Sequence, residues 1–185
     1  VYVRLKNVIK QQLESNADPD EITHEQRLHY DIKEKLVNHF RGREEILNEI
    51  QKYINDDQTN KVLALIGESG SGKSSVMAKV TDAFIEKEKK NNTVFAYRFL
   101  GTSSNSSNVI SMMQSVAGQI ARAFSVKLGD LTADGDEKGL HEIYGMSEVF
   151  KKCLALATPE KPVVVFLDAL DQLSDTDNAL QLHWL

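Results

Sequence analysis

The chain has 185 residues, 41% of them hydrophobic and 26% charged, with a formal net charge of −5. That is enough for one domain with a core of its own, and the acidic balance speaks against direct nucleic-acid or anionic-membrane binding. The one cysteine, Cys153, excludes a disulfide framework and points to a reducing, cytoplasmic setting, and no apolar run reaches the ~20 residues of a membrane span.

The first residues, "VYVRLKNVIKQQLESN", have neither a starting methionine nor the apolar centre of a signal peptide, so the chain reads as a piece of a longer protein. Val1, Leu5, Val8, Ile9 and Leu13 share one helical face, and Pro19 breaks the pattern. A second helix is predicted from Glu21 to about Phe40 on the stripe Leu28, Ile32, Leu36, Val37 and Phe40. A third carries Ile46, Leu47, Ile50, Tyr53 and Ile54. "KVLALIG" (61–67) is short and almost wholly apolar, which predicts a strand buried on both faces. A helix over 73–88 follows, with Val76, Met77, Val80, Phe84 and Ile85 inward, then a strand over 93–100. The polar loop Gly101–Ser107 is expected to cap the next helix, about 107–124. A helix at about 147–157, capped by Ser147, precedes a third buried strand in "PVVVFLDALDQL", and "NALQLHWL" reads as the start of another helix. Strands alternating with helices predict an α/β fold: a parallel sheet flanked by helices, after an N-terminal helical lead-in.

The chemistry concentrates in two places. Gly67-Glu68-Ser69-Gly70-Ser71-Gly72-Lys73-Ser74 fits G-x-x-x-x-G-K-S/T, the P-loop, between an apolar strand pattern and a helix. A triphosphate needs many converging donors. Glycines allow backbone N–H groups to point inward, and the helix start adds positive partial charge. Lys73 is placed to reach the β- and γ-phosphates, Ser74 to hold Mg²⁺ and Ser75 to lie near the α-phosphate. The alternative is a Gly/Ser turn without a ligand. "VVVFLD" delivers Asp168 to the end of a strand, where a Walker B carboxylate holds Mg²⁺ through water; otherwise it caps a helix. Asp171, three residues on, either orients the attacking water or only caps the next turn. There is no N/T-K-x-D guanine-reading motif and no L-S-G-G-Q transporter signature. Ala169 stands where many such hydrolases have Glu. Arg98, inside an apolar strand, is either a sensor of phosphate charge or a paired structural residue. The five histidines show no metal-ligand spacing and read as surface or helix-face residues.

"HFRGREEILNEIQKYI", "ALIGESGSGKSSVMAKV", "YRFLGTSSNSSNVISMMQSVAGQI" and "VVVFLDALDQL", in that order, resemble the NACHT-type ATPases of the STAND class, and among them those with tetratricopeptide or WD repeats. The resemblance runs from about Glu21 to Leu185. It implies a P-loop NTPase sheet of the additional-strand class, with 1–39 as helical lead-in and 40–185 as the N-terminal part of the ATPase, cut after Walker B. In that class a further strand lies between the P-loop and Walker B strands. The resemblance also implies that Phe40, Gly42 and Arg43 contact base and ribose, and it accounts for Ala169 with Asp171. Gln172 departs from the second acid many members carry there. The function implied by the resemblance is an ATP/ADP- and Mg-dependent switch with slow hydrolysis. Self-assembly would accompany ATP binding, and protein partners would dock through repeats outside this chain. A nucleotide-holding scaffold with negligible turnover is the alternative, and a small-molecule kinase a more distant one.

Overall fold

The computed structural model describes residues 21–55, 62–88, 92–133, 135 and 137–185. The expected helix over 1–13 and the break at Pro19 lie outside them. The described elements are α1 (Glu21–Asn38), α2 (Glu44–Ile54), α3 (Lys73–Glu88), β1 (Val94–Phe99), α4 (Ser104–Ser107), α5 (Val109–Ala123), α6 (Ile143–Leu154) and β2 (Val163–Asp168). Short 3-10 turns fill the loop between α5 and α6 and follow β2.

β1 and β2 pair in parallel, in register from Val94 opposite Val163 to Phe99 opposite Asp168. Successive side chains of a strand point to opposite faces, so both faces must be apolar when helices cover both. Val94, Ala96, Val163, Val165 and Leu167 meet the core built by α5 and α6. Phe95, Tyr97, Val164 and Phe166 meet α2 and α3 through Ile50, Val76, Val80 and Phe84. Phe84 packs edge-on against both Phe95 and Phe166. On the first face Cys153 is fully buried, which pushes its thiol up to about 11. Trp184 closes this side, its ring against Phe150 and its Nε1 donating to the Ala179 carbonyl at 2.9 Å.

Residues 62–68 form no strand. The apolar run predicted a third member of the sheet, but a strand needs hydrogen-bonding neighbours, and among the described residues none lies beside it. Leu65 packs on the α2–α3 core while Val62 and Ile66 stay 79% and 89% exposed. Between this segment and the outer edge of β2 lies an apolar cavity of about 450 Å³, lined by Leu63, Leu65, Val164 and Phe166 among others.

Three further expectations are corrected. Ser147 is not a cap: α6 begins at Ile143, and the Ser147 hydroxyl donates back to the Ile143 carbonyl at 2.6 Å. Gly145 near the start of α6 lies against the Gly139 backbone, where a Cβ would sit 2.3 Å from the Gly139 carbonyl oxygen. Residues 176–181 make a 3-10 stretch broken by left-handed Asp177 and Asn178 instead of an α-helix start.

The third correction concerns α1. Its apolar stripe is not the docking face: Leu28 is 37% exposed and Ile32, Leu36 and Val37 are only partly buried. The buried row is Glu25, His29 and Lys33, four residues apart. Each has a partner that makes burial tolerable. Lys33 Nζ donates to Asp82 of α3 at 2.6 Å and to Glu34 at 2.8 Å. His29 accepts from the Phe99 backbone N–H through Nδ1 at 3.1 Å, and its Nε2 bonds Glu25 at 3.0 Å.

Two outcomes are expected from this packing. Thr81 of α3 is fully buried and, among the described residues, its hydroxyl has no hydrogen-bond partner. Thr81→Val should therefore raise unfolding stability in urea by about 1 kcal/mol. Burial, and then the charge of Arg98, push the His29 imidazole from 6.5 down to about 4, against the opposing pull of Glu25. Between those two values the unfolded chain binds the extra proton, so stability falls as pH drops below 6.5, by about 2 kcal/mol at pH 5 from this group. Urea titrations at pH 7.5 and 5 should show the loss, and His29→Asn should lack that share of it.

Candidate functional site

The stretch from Gly67 to Gly72 is an irregular loop that leads straight into α3. Gly70 and Gly72 take φ of 75° and 87°, the left-handed region that favours glycine, and thus do what the loop requires of them. Gly67 is not left-handed. The Ser71 N–H donates to the Glu68 carbonyl at 3.2 Å, tightening the turn. Lys73 is the first residue of α3, and its Nζ donates to the carbonyls of Gly67 at 2.8 Å and Glu68 at 2.9 Å. Its ammonium thus lies over the loop that the pattern assigns to phosphate. Gly67 to Gly70 are exposed, while Ser74 and Ser75 are half-buried on the first turn of α3.

Asp168 ends β2 and is 7% exposed. Burial pushes its carboxyl above the ordinary value; the Ser74 side chain, the Lys73 charge and the Ala169 backbone hydrogen bond pull it back, and Asp171 pushes it further up. Ser74, on the first turn of α3, therefore lies close enough to act on the Asp168 carboxyl, so the two motifs meet. Ala169 then takes φ 61°, ψ 49°, turning the chain into the 3-10 turn Leu170–Gln172. A β-branched side chain would suffer there, which accounts physically for a small residue after the aspartate. Asp171 is exposed on this turn, and the Gln172 amide donates to it at 3.3 Å.

The "FRGRE" stretch reaches the same loop. Gly42 and Arg43 are both left-handed, and Arg43 Nη2 donates to the Ser71 carbonyl at 2.8 Å. Phe40 packs among Ile46, Leu47 and the α3 side chains, while Gly42 is exposed. Arg98 does not share this neighbourhood. It is 2% exposed, and its guanidinium donates to the Ser115 hydroxyl, the Gln119 side-chain oxygen and the Tyr97 carbonyl, a packing arrangement between β1 and α5.

Loop Gly101–Ser107 supports the turn that carries Asp171. Ser103 and Ser106 form a reciprocal cap on the short α4 inside this loop, whereas α5, the helix the serines are expected to cap, is capped by Asn108, whose side chain accepts from the Ser111 N–H at 2.9 Å. The Leu100 N–H donates to the Asp168 carbonyl at 3.1 Å, and the Ser174 N–H to the Ser107 carbonyl at 2.8 Å. Gly101, at φ 76°, lies so close to Gln172 that a Cβ would sit 2.7 Å from the Gln172 Cβ.

The donor set suits a phosphate and a hard cation together. A helix start, left-handed glycines and an ammonium make an anion cradle. A hydroxyl and a carboxylate beside it are oxygen ligands. Among the described residues no group of three or more His, Cys, Asp or Glu side chains could hold a metal. A cation such as Mg²⁺, by contrast, is commonly held by only one or two protein oxygens together with phosphate and water. His29, Glu25 and Lys33, which the sequence pattern does not mark as a set, lie one strand away from Asp168. Their four-residue spacing is visible in the sequence, but their inward direction is not.

A family model described as nephrocystin 3, N-terminal, matches residues 43–185. NACHT and WD repeat domain-containing protein 2 of Mus musculus is 26% identical over 193 aligned residues, covering 100% of this chain and 11% of the relative. The Homo sapiens protein of that name has the same identity and coverage. NACHT domain- and WD repeat-containing protein 1 of Homo sapiens is 24% identical over 153 residues, 82% of this chain and 10% of the relative. The chain thus spans about a tenth of the length of these relatives. No solved structure matches it. No helix among the described residues is long and apolar enough to cross a membrane.

Gly101→Ala should lower stability by about 1–2 kcal/mol, through the left-handed backbone and the contact with Gln172. Combining it with Gln172→Gly should recover the steric part and leave the backbone part. Urea unfolding of the two single variants and the double variant separates them.

Proposed function

The chain belongs to the nephrocystin 3 N-terminal family, and on that premise we propose that it is the nucleotide-binding part of a signal-transduction ATPase, a Mg–ATP-dependent switch with slow hydrolysis. The observation that carries this reading is the meeting of Ser74 with buried Asp168 beside Lys73 and the left-handed P-loop glycines. The names of the relatives support the NACHT assignment.

In this reading residues 40–185 are the N-terminal part of a NACHT unit and 1–39 its lead-in. The sheet belongs to the additional-strand class. The open edge of β2 and the apolar cavity between it and residues 62–66 are consistent with a further strand there. The N–H groups of Gly70, Ser71, Gly72, Lys73, Ser74 and Ser75 cradle the phosphates, with Gly67, Glu68 and Ser69 shaping the turn. Lys73 leaves the two carbonyls it now bonds and neutralises the β- and γ-oxygens. Bound Mg²⁺ would supply Lewis-acid charge neutralisation at those oxygens. Ser74 would hold it through its hydroxyl oxygen, and Asp168 through water. Asp171, exposed on the turn after β2, orients the attacking water. Phe40, Gly42 and Arg43 flank the base and ribose, with Arg43 already tied to the loop through Ser71. ATP binding drives self-assembly in the cytoplasm. Partners dock on repeats outside this chain, in keeping with the WD repeats named in the relatives. A second reading, a scaffold that holds nucleotide without turnover, draws on Gln172, which occupies Asp171 with a neutral amide.

The test uses the full-length protein purified without added nucleotide. ADP should co-purify, and phosphate release should be slow. Lys73→Ala should lower nucleotide occupancy at least tenfold, and Asp171→Asn should keep nucleotide while cutting release about 100-fold. Intact ATP with no release above the Lys73→Ala background establishes the scaffold instead. Failure to bind any adenine nucleotide overturns both.

A further inference from the structure

α1 lies wholly outside the span that the family model matches, yet it fastens to both walls of the candidate site. One attachment is at the end of β1. The Leu100 N–H points inward to the Asp168 carbonyl, so the preceding N–H, that of Phe99, faces the outer edge of the strand. There it meets His29 Nδ1 at 3.1 Å. An acceptor at Nδ1 requires the proton on Nε2, which donates to Glu25 Oε1 at 3.0 Å; Glu25 Oε1 in turn takes the Ser103 hydroxyl at 3.4 Å. One tautomer satisfies the whole set. Phe99 stands opposite Asp168 in the strand register. One helical turn further on, Lys33 makes the second attachment, to Asp82 of α3. α3 is the helix whose first turn presents Lys73 and Ser74. A single turn of α1 thus spans from the end of β1, paired with the Asp168 end of β2, to the helix that holds Ser74.

We infer that His29 is a positioning residue for the cation end of the site: through Phe99 and the Lys33 attachment, α1 sets the separation of Ser74 from Asp168. This rests on the nucleotide reading above. It differs from simple edge coverage of β1 in what it predicts. Loss of the Phe99 hydrogen bond should disturb the two oxygens that take Mg²⁺ and spare the loop that takes phosphate.

The experiment measures binding of a fluorescent ADP derivative to the full-length protein, first in EDTA and then across a Mg²⁺ titration. Amide exchange at Phe99 reports the hydrogen bond itself. His29→Leu is expected to keep the EDTA affinity within about twofold, to raise the Mg²⁺ concentration for half-maximal effect about tenfold, and to speed Phe99 exchange. His29→Asn, whose side-chain oxygen can accept from the Phe99 N–H, is expected to restore most of the Mg²⁺ dependence. Lys33→Met, which cuts the other attachment, should also weaken Mg²⁺ dependence selectively, and it tests the inference if His29→Leu does not fold. The inference is overturned if His29→Leu and Lys33→Met match the wild type. It is equally overturned if they lose affinity in EDTA and in Mg²⁺ alike, or if His29→Asn fails to rescue. Wild type that binds Mg–nucleotide beside an unaffected His29→Leu leaves the nucleotide reading standing and removes only this one. Wild type that binds none removes both.

Discussion

The approach of the Ser74 side chain to the Asp168 carboxyl is the contact on which the arrangement turns. It joins the start of one helix to the end of one strand, segments far apart in sequence. Asp168 is held almost out of water at the end of β2, where a carboxylate without polar neighbours would be costly. The two apolar layers fix the distance. α3 is pressed on β2 through Val76, Val80, Phe84 and Phe166, and β2 is held from behind by α5 and α6. Burying each such large side chain is worth about 1.5–3 kcal/mol, so the packing far outweighs one polar contact and can dictate where that contact lies. The contact is also adaptable, since a hydroxyl beside a carboxylate can offer its oxygen to a cation.

Much of this was legible in the sequence. Helix periodicity placed α2, α3 and α5 within a residue or two, because each buries a single apolar stripe and the period reports it directly. Asp168 could be located because an all-apolar run ends on it. Gly70 and Gly72 followed from the backbone that the P-loop needs. The strand at 61–67 did not appear, because strand formation depends on a neighbour that local sequence does not contain. The face of α1 was misread for a related reason. Leu28 and Leu36 advertise an inner face by hydrophobicity alone. Glu25, His29 and Lys33 win it through partners on β1, α3 and the 101–107 loop, and those partners become visible only in three dimensions. Ser147 failed as a cap and 178–185 as a helix start, both overridden by packing around Gly145 and Trp184.

The polar docking of α1 has a physical character unlike that of the rest of the fold. Apolar layers tolerate small slips, since one methyl contact replaces another. A buried row of imidazole, carboxylate and ammonium does not, because each misplaced group is left without its partner in a low-dielectric setting. Arg98 adds to this strictness, its guanidinium committed to Ser115, Gln119 and the Tyr97 carbonyl. The molecule therefore combines a forgiving core with an exacting outer clasp around one strand end. That division lets a helix lying outside the matched family region take a fixed place on it.

Cys153 carries a different consequence. It is the chain's one thiol, wholly enclosed between α6 and its neighbours, and held near 11 by the absence of water. At neutral pH on the order of one molecule in 10,000 carries the thiolate there, and no oxidant or alkylating reagent reaches it while the fold is closed. The one thiol is thus silent to peroxide and to thiol-directed electrophiles while the fold is closed. A cysteine introduced on the outer side of α1 or beside the Gly67–Gly72 loop would be the one reactive thiol in the chain, and a thiol-directed label there would report on its own position alone.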